Sequence, residues 1–186
     1  MIKILFVCHG NICRSTMAQF LFSHIVQKRG FSVAQNIDEQ ADFFIDSAAT
    51  STEEIGNDVD RRTAAKLKEH GIPCGKHRAR QVTKRDYELY DLILIMDREN
   101  EWGIRRIIRN DPEDKIHLIL EYASDSRFPD NRGGVRDVAD PWYTHNFEMT
   151  YQDLLCGCEG LADHITQSTA PSPGHAGSTR SYQSKA

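Results

Sequence analysis

Residues 2–15 run Ile2-Lys3-Ile4-Leu5-Phe6-Val7-Cys8-His9-Gly10-Asn11-Ile12-Cys13-Arg14-Ser15, and this stretch decides the fold. Ile2–Val7 is a short apolar run, the pattern of a strand covered on both faces. From Arg14 to Lys28 the apolar residues Met17, Phe20, Leu21, Phe22, Ile25 and Val26 recur at helical spacing, with Ser15 or Thr16 near the start. The rest of the chain repeats this alternation. Phe43–Asp46 predicts a strand, and Asp60–His70 an amphipathic helix stopped by Gly71 and Pro73. Thr83-Lys84-Arg85-Asp86 resembles a capping box with Asp in place of Glu. Leu92–Met96 predicts the central strand, Glu99–Ile108 a helix, Ile116–Leu120 a strand and Phe147–Ile165 a closing helix. Strands separated by helices imply right-handed crossovers and a parallel sheet. The expectation is a single α/β, doubly wound domain over residues 1–165, with a four-stranded parallel sheet flanked by helices.

Composition narrows the function. The chain has 186 residues, enough for one core of ordinary size, with 27 acidic against 23 basic side chains and a formal net charge of −4. That balance lacks the basic excess of a general nucleic-acid or membrane-surface binder. No run approaches the ~18 apolar residues that span a bilayer. The apolar start is too short for a signal peptide and meets no small-residue cleavage site, so a cytoplasmic protein is expected. Five cysteines (Cys8, Cys13, Cys74, Cys156, Cys158) make a poor disulfide framework and point to reduced thiols. Thr166–Ala186 contains twelve Ser, Thr, Gly or Pro and one large apolar side chain, Tyr182, and is expected to be a disordered tail.

Ligands of such sheets sit beyond the carboxyl ends of the strands, and the first strand ends at Cys8. Cys8-x5-Arg14 is a chemical device. The N-terminus of a helix offers a thiol the positive dipole end and unpaired N–H groups, which favour the thiolate. Five intervening residues let the backbone curl so that its N–H groups converge above the sulfur. Gly10 and Asn11 tolerate the positive φ that the curl demands. The result is an anion nest, to which Arg14 adds a planar fork for two oxygens of a tetrahedral oxyanion. A phosphate monoester dianion matches it: the thiolate attacks phosphorus in line while Arg14 and the amides stabilise the equatorial oxygens. Ser15 is placed to donate to the sulfur. The plain alternative is a structural thiol at a strand end.

With these residues the sequence resembles the low-molecular-weight protein tyrosine phosphatases, whose signature C-x-G-N-I-C-R-S is matched by residues 8–15. The resemblance extends through residues 45–57, Asp60–Arg62, His70–Pro73, His77–Lys84 and Met96-Asp97, over roughly residues 1–165. It implies that Cys8 is the nucleophile and that Asp140, in Asp140-Pro141-Trp142-Tyr143, is the general acid and then the base. A carboxyl beside a bound dianion is driven towards its protonated form, as the first step requires. It also implies that His9, Gly10, Asn11, Ile12, Cys13 and Ser15 hold the substrate, with Glu53, Trp142 and Tyr143 at the mouth, while Ser47 and His77 support the loop. Cys8 and Cys13, within one loop, are by the same resemblance a redox-sensitive pair. The sequence departs from the family's pattern at Thr16, where proline is usual, at Glu53, where Trp or Tyr is common, and at Trp142, in place of the first tyrosine. Trp142 restores part of the aromatic wall that Glu53 removes.

Other readings of the same loop compete. A thiol-dependent arsenate reductase needs a closely spaced thiol pair after the second helix, where only Cys74 stands. A protein-arginine phosphatase typically has Thr where Ile12 stands, and the apolar Ile12 favours aryl phosphate. A non-enzymatic oxyanion-binding module is favoured by loss of the nucleophile, arginine or acid, and all three are present. C-x4-C and C-x-C are not common zinc spacings. The expectation is a metal-free, cofactor-free phosphatase acting on tyrosine-phosphorylated protein, with no nucleic-acid or membrane partner, as a monomer or weak dimer.

Overall fold

Both faces of the first strand are buried, for Ile4, Leu5, Phe6 and Val7 are each 0% exposed. Side chains alternate across a strand, so such a strand needs a layer on each side. The computed structural model of the protein describes residues 1–123 and 134–169. Its elements are β1 (Ile2–Cys8), α1 (Arg14–Lys28), β2 (Val33–Ala34), β3 (Phe43–Ala49), α2 (Arg61–Glu69), α3 (Lys84–Leu89), β4 (Leu92–Ile95), α4 (Arg98–Ile107), β5 (Ile116–Leu118), a 3₁₀ turn at Ile119–Tyr122, α5 (Pro141–Thr144) and α6 (Phe147–Thr169). On one face Ile4, Phe6 and Ile45 pack with Met17, Leu21 and Phe22 of α1, Leu67 of α2, and Leu154, Cys158 and Leu161 of α6. On the other, Leu5, Val7 and Ile93 pack with Tyr90 and Val82 and with Ile104 and Ile108 at α4. Each fully buried Leu, Ile or Phe contributes about 1.5–3 kcal/mol relative to exposure.

The strand order is β2-β3-β1-β4-β5, and every pairing is parallel. The chain winds outward from β1 in both directions, which makes the end of β1 a topological switch point. The sheet has five strands rather than the expected four. The addition is β2, a two-residue edge strand. A strand so short has no periodicity to detect; it is tied to β3 instead by Phe43 N donating to Ser32 O (3.1 Å) and by Ser32 Oγ donating to Asp42 (2.7 Å).

Helix boundaries follow their chemistry. Asp60 caps α2 by accepting from Arg62 N and Thr63 N. At α3, Thr83 N donates to Asp86 Oδ2 (2.6 Å), the reciprocal bond of a capping box. The expected strand Ile116–Leu120 stops at Leu118, where the chain turns into the 3₁₀ segment on which α6 lies. The approach there is very close: a Cβ at Gly160 would fall 1.8 Å from the Tyr122 carbonyl oxygen. Helix α6 passes the expected end at Ile165 and runs to Thr169, with Thr166 Oγ1 donating back to Ala162 O (2.8 Å). Residues 166–169 are therefore helix and not tail, while the remainder of the expected tail lies outside the described residues.

Glu148 ties α6 to α2. It accepts from Gln152 (2.7 Å), from His70 (3.1 Å) and from Lys66 Nζ (3.1 Å), and these partners pull its carboxyl down to about 2. A depressed carboxyl contributes stability above its unfolded pKa, near 4.5, and loses it as pH falls through about 2. Because the group is half-exposed, the effect is small. We expect Glu148→Gln to lower Tm by about 1–3 °C at pH 6 and by less at pH 2.5, as scanning calorimetry at the two pH values would measure.

Candidate active site

Cys8 is the last residue of β1, and residues 9–13 form the loop into α1. The loop turns at Asn11, which has φ 60° and is completely buried. Asn is among the few side chains that adopt this left-handed conformation readily, and here every polar group it has is used. Its backbone N–H points at Cys8 Sγ (3.3 Å), and its carbonyl accepts from His77 Nε2 (2.7 Å). Its side-chain amide donates to Ser15 Oγ (3.0 Å) and Ser47 Oγ (2.8 Å), and its Oδ1 accepts from Arg80 N (3.1 Å).

These bonds set proton directions. Ser47 Oγ donates to Gln19 Oε1 (2.7 Å), so it is free to accept from Asn11. Ser15 Oγ likewise accepts from Asn11, leaving its own proton for Cys8 Sγ at 3.1 Å. Two donors, the Asn11 N–H and the Ser15 O–H, therefore converge on one sulfur, an arrangement suited to a thiolate. His77 faces a carbonyl, which only accepts, so its Nε2 carries a proton. Burial lowers the His77 pKa, against the opposing bond to Asn11. Burial pushes the Cys13 thiol up to about 12. Cys8 and Cys13 are both free thiols.

Arg14 opens α1 and is 3% exposed. One guanidinium nitrogen meets Asp97, and the other meets Asp140 Oδ2 at 2.6 Å. Burial works against its charge, but Cys8, Asp97 and Asp140 outweigh it and raise the pKa. Asp97 follows β4 and caps α4, its Oδ1 accepting from Asn100 N (2.6 Å). Asp140 caps α5 by accepting from Trp142 N (2.9 Å), with Pro141 at the first helical position. Its loop is held by Val138 N on Met96 O (2.9 Å), by Ala139 N on Asp153 (3.1 Å) and by Thr150 Oγ1 on Ala139 O (2.7 Å). Asp153 and Thr150 of α6 are buried, so the helix packing sets the height of Asp140 above the sulfur loop.

A cleft of about 180 Å³ opens here, lined by Cys8, His9, Gly10, Ile12, Cys13, Arg14, Glu53, Asp140, Trp142 and Tyr143. Every residue expected at the site from the sequence is thus in the cleft or, for Asn11, Ser15, Ser47 and His77, in the hydrogen-bond network behind it. Glu53 stands at the mouth and meets His9 Nε2 at 3.2 Å. Trp142 and Tyr143 are 58% and 75% exposed. The Arg62 guanidinium lies 6.0 Å from the Trp142 ring centre and 4.9 Å from that of Phe147. Sequence reasoning missed Glu54 and Glu99, which also line the cleft, and gave no role to Asp97, Gln19 or Arg80. A signal for Asp97 existed in its place directly after a central strand. Among the described residues, no group of three or more His, Cys, Asp or Glu is arranged to hold a metal ion.

A parallel doubly wound sheet with a thiol and an arginine closing one loop at its switch point is the architecture of a protein that holds a tetrahedral oxyanion over sulfur. The model of the low molecular weight phosphotyrosine protein phosphatase family matches residues 3–170, and the chain belongs to that family. It is 36% identical over 165 residues to the low molecular weight protein-tyrosine-phosphatase YfkJ of Bacillus subtilis, covering 89% of this chain and 96% of the relative. The crystal structure of YfkJ superposes with a TM-score of 0.78 at 35% identity, covering 91% of this chain and 98% of that one. The human low molecular weight phosphotyrosine protein phosphatase is 36% identical over 165 residues, covering 87% and 94%. The structure of DARP, a Drosophila arginine phosphatase, superposes with a TM-score of 0.71 at 26% identity, covering 88% of this chain and 98% of that one.

Proposed function

We infer that this chain hydrolyses phosphotyrosine in proteins through a phosphocysteine intermediate. The observation that carries the reading is the cleft that joins Cys8, Arg14 and Asp140. Cys8 Sγ attacks phosphorus and the bond to the phenolic oxygen breaks, while Arg14 and the loop N–H groups hold the equatorial oxygens. Asp140 gives its proton to the departing phenolate. The carboxylate so formed then takes a proton from water, whose oxygen attacks the phosphocysteine and releases phosphate. The Ser15 hydroxyl, aimed at Cys8 Sγ, stabilises the thiolate as it leaves. Asn11, Ser47 and His77 hold the loop, and Ile12, Trp142 and Tyr143 supply apolar surface for the aryl group. No step calls for a metal or cofactor.

Three arrangements favour aryl phosphate hydrolysis over its rivals. Ile12 presents an apolar side chain to the cleft, which suits a phenyl ring better than a phosphoguanidine. A reductase would need a closely spaced thiol pair after α2, where only Cys74 stands, and Cys158 of α6 is wholly buried, with its pKa raised by that burial. All three reactive residues are present, against a purely binding module. The chain acts in the cytoplasm as a monomer or weak dimer; among the described residues no helix is long and apolar enough to cross a membrane.

The test is turnover of p-nitrophenyl phosphate, a phosphotyrosine peptide, a phosphoarginine peptide and arsenate, each with chelator present. The expected result is hydrolysis of the first two alone. Preferential hydrolysis of phosphoarginine, or thiol-dependent arsenate reduction, would replace this reading. The fork on Arg14 gives a second expectation. Lysine offers a point charge in place of two fixed nitrogens, so Arg14→Lys should lower kcat/KM more than tenfold, about 1.4 kcal/mol of transition-state stabilisation. Rates near wild type would contradict the two-oxygen geometry.

A further inference from the structure

Residues 77–82 form a strap across the end of β3 and the outer side of the sulfur loop. Ala49 N donates to Arg80 O (2.7 Å), and Val82 N donates to Ala49 O (2.8 Å), which makes Ala49 and Gln81 bridge partners. Gln81 Nε2 donates to Thr50 O (3.0 Å). From this strap come two of the bonds that hold Asn11: the His77 ring on its carbonyl and the Arg80 N–H on its Oδ1.

The Arg80 side chain turns to Asp46, Asp86 and Tyr90, none of which lines the cleft. Its Nε and Nη2 donate to Asp46 Oδ2 (3.2 and 2.8 Å), and its Nη1 to Asp86 Oδ2 (3.2 Å). Tyr90 OH donates to the same Asp46 oxygen (3.0 Å). Asp46 Oδ1 in turn accepts from Ser47 N (2.8 Å), and Ser47 is the other residue on which the Asn11 amide rests. Burial opposes the Arg80 charge, and Asp46 and Asp86 outweigh it and raise its pKa. Two of the three supports of the Asn11 side chain, the Arg80 N–H and the Ser47 hydroxyl, thus share one anchor, the Arg80–Asp46 pair, and the third is Ser15 Oγ.

We propose that Arg80 is a positioning residue for the sulfur loop, its guanidinium on Asp46 and Asp86 fixing the peptide N–H that keeps Asn11 in its left-handed turn. The inference rests on the reading that this loop binds phosphate. Asn11 in turn aims its own N–H and, through Ser15, a hydroxyl at Cys8 Sγ. A loosened strap leaves a buried amide unpaired and lets the turn relax, which spreads the N–H groups that surround an oxyanion.

The experiment is a double-mutant cycle on Arg80→Met and Asn11→Ala, read by calorimetric affinity for inorganic phosphate and by kcat/KM for p-nitrophenyl phosphate. Arg80→Met should weaken phosphate binding about tenfold, Arg80→Lys should recover part of it, and Tyr90→Phe should cost about two- to threefold. If Arg80 acts through Asn11, the double variant falls within twofold of Asn11→Ala alone. Losses that multiply, or phosphate affinity in Arg80→Met within twofold of wild type, would overturn the proposal. Should Arg80→Met not fold, Arg80→Lys and Tyr90→Phe complete the cycle. A wild-type protein that binds phosphate but hydrolyses no aryl phosphate would sink the functional reading alone, and the phosphate affinities would still decide this one.

Discussion

Cys8→Ser is expected to reduce turnover of aryl phosphate by on the order of 10⁴-fold or more while leaving oxyanion affinity within a few-fold of wild type. The side chain is 3% exposed and differs from serine by one atom, so the packing of β1 against α1 survives the change. The loop amides, Arg14 and Asn11 also keep their places, since none of them depends on sulfur for its backbone geometry. What is lost is the nucleophile. The hydroxyl of serine is not appreciably ionised at neutral pH, and two donors aimed at Sγ do not make it so. The check is paired: single-turnover rates with p-nitrophenyl phosphate, and the affinity of the variant for inorganic phosphate. Appreciable residual turnover would remove Cys8 as the attacking atom. Loss of phosphate affinity together with turnover would mean that the substitution had collapsed the loop.

Asp140→Asn is expected to act selectively. Asparagine keeps an oxygen for Trp142 N, so the cap of α5 and the position of the loop are retained. It cannot supply a proton. A phenyl phosphate with a poor, basic leaving group should lose about 10²-fold or more, within the range for general acid catalysis. One with an acidic phenol, which departs unprotonated, should lose less than about tenfold. Plotting log kcat against leaving-group pKa for wild type and variant gives the measurement, and the slope should steepen in the variant. Equal losses along the series would make Asp140 a structural partner of Arg14 and nothing more, a role its 2.6 Å ion pair would also explain.

Much of the molecule was legible from sequence because the deciding forces act over a few residues. The bounds of α1 coincide with its apolar spacing, and the sulfur loop is encoded in eight consecutive residues. Capping at Thr83 with Asp86 is equally local, since a side chain there reaches only its own first turn. Misjudgements fell where the deciding force is distant. The pairing of β2 with β3 depends on Ser32 meeting Asp42, not on any pattern within Val33–Ala34. The end of β5 is set by α6 pressing a glycine face onto Ile119–Tyr122.

The site divides along the same line. From sequence alone came the strand end at Cys8, the loop that curls beyond it and Arg14 at the start of α1, since strand, curl and helix follow one another along the chain and a short run of residues determines how they join. Only the tertiary structure decided what surrounds them. Asp97 is 83 residues from Arg14, and it reaches the guanidinium because parallel pairing of β4 with β1 brings both strand ends to one edge. Ser47 stands beside Asn11 because β3 pairs with β1 in the register that sets Phe6 against Ser47 and Cys8 against Ala49. Asp140 hangs over the sulfur because its loop is bonded to α6 and to Met96. Register and strand order are products of two-sided burial of the sheet summed over the whole core, and no local stretch of residues contains that sum.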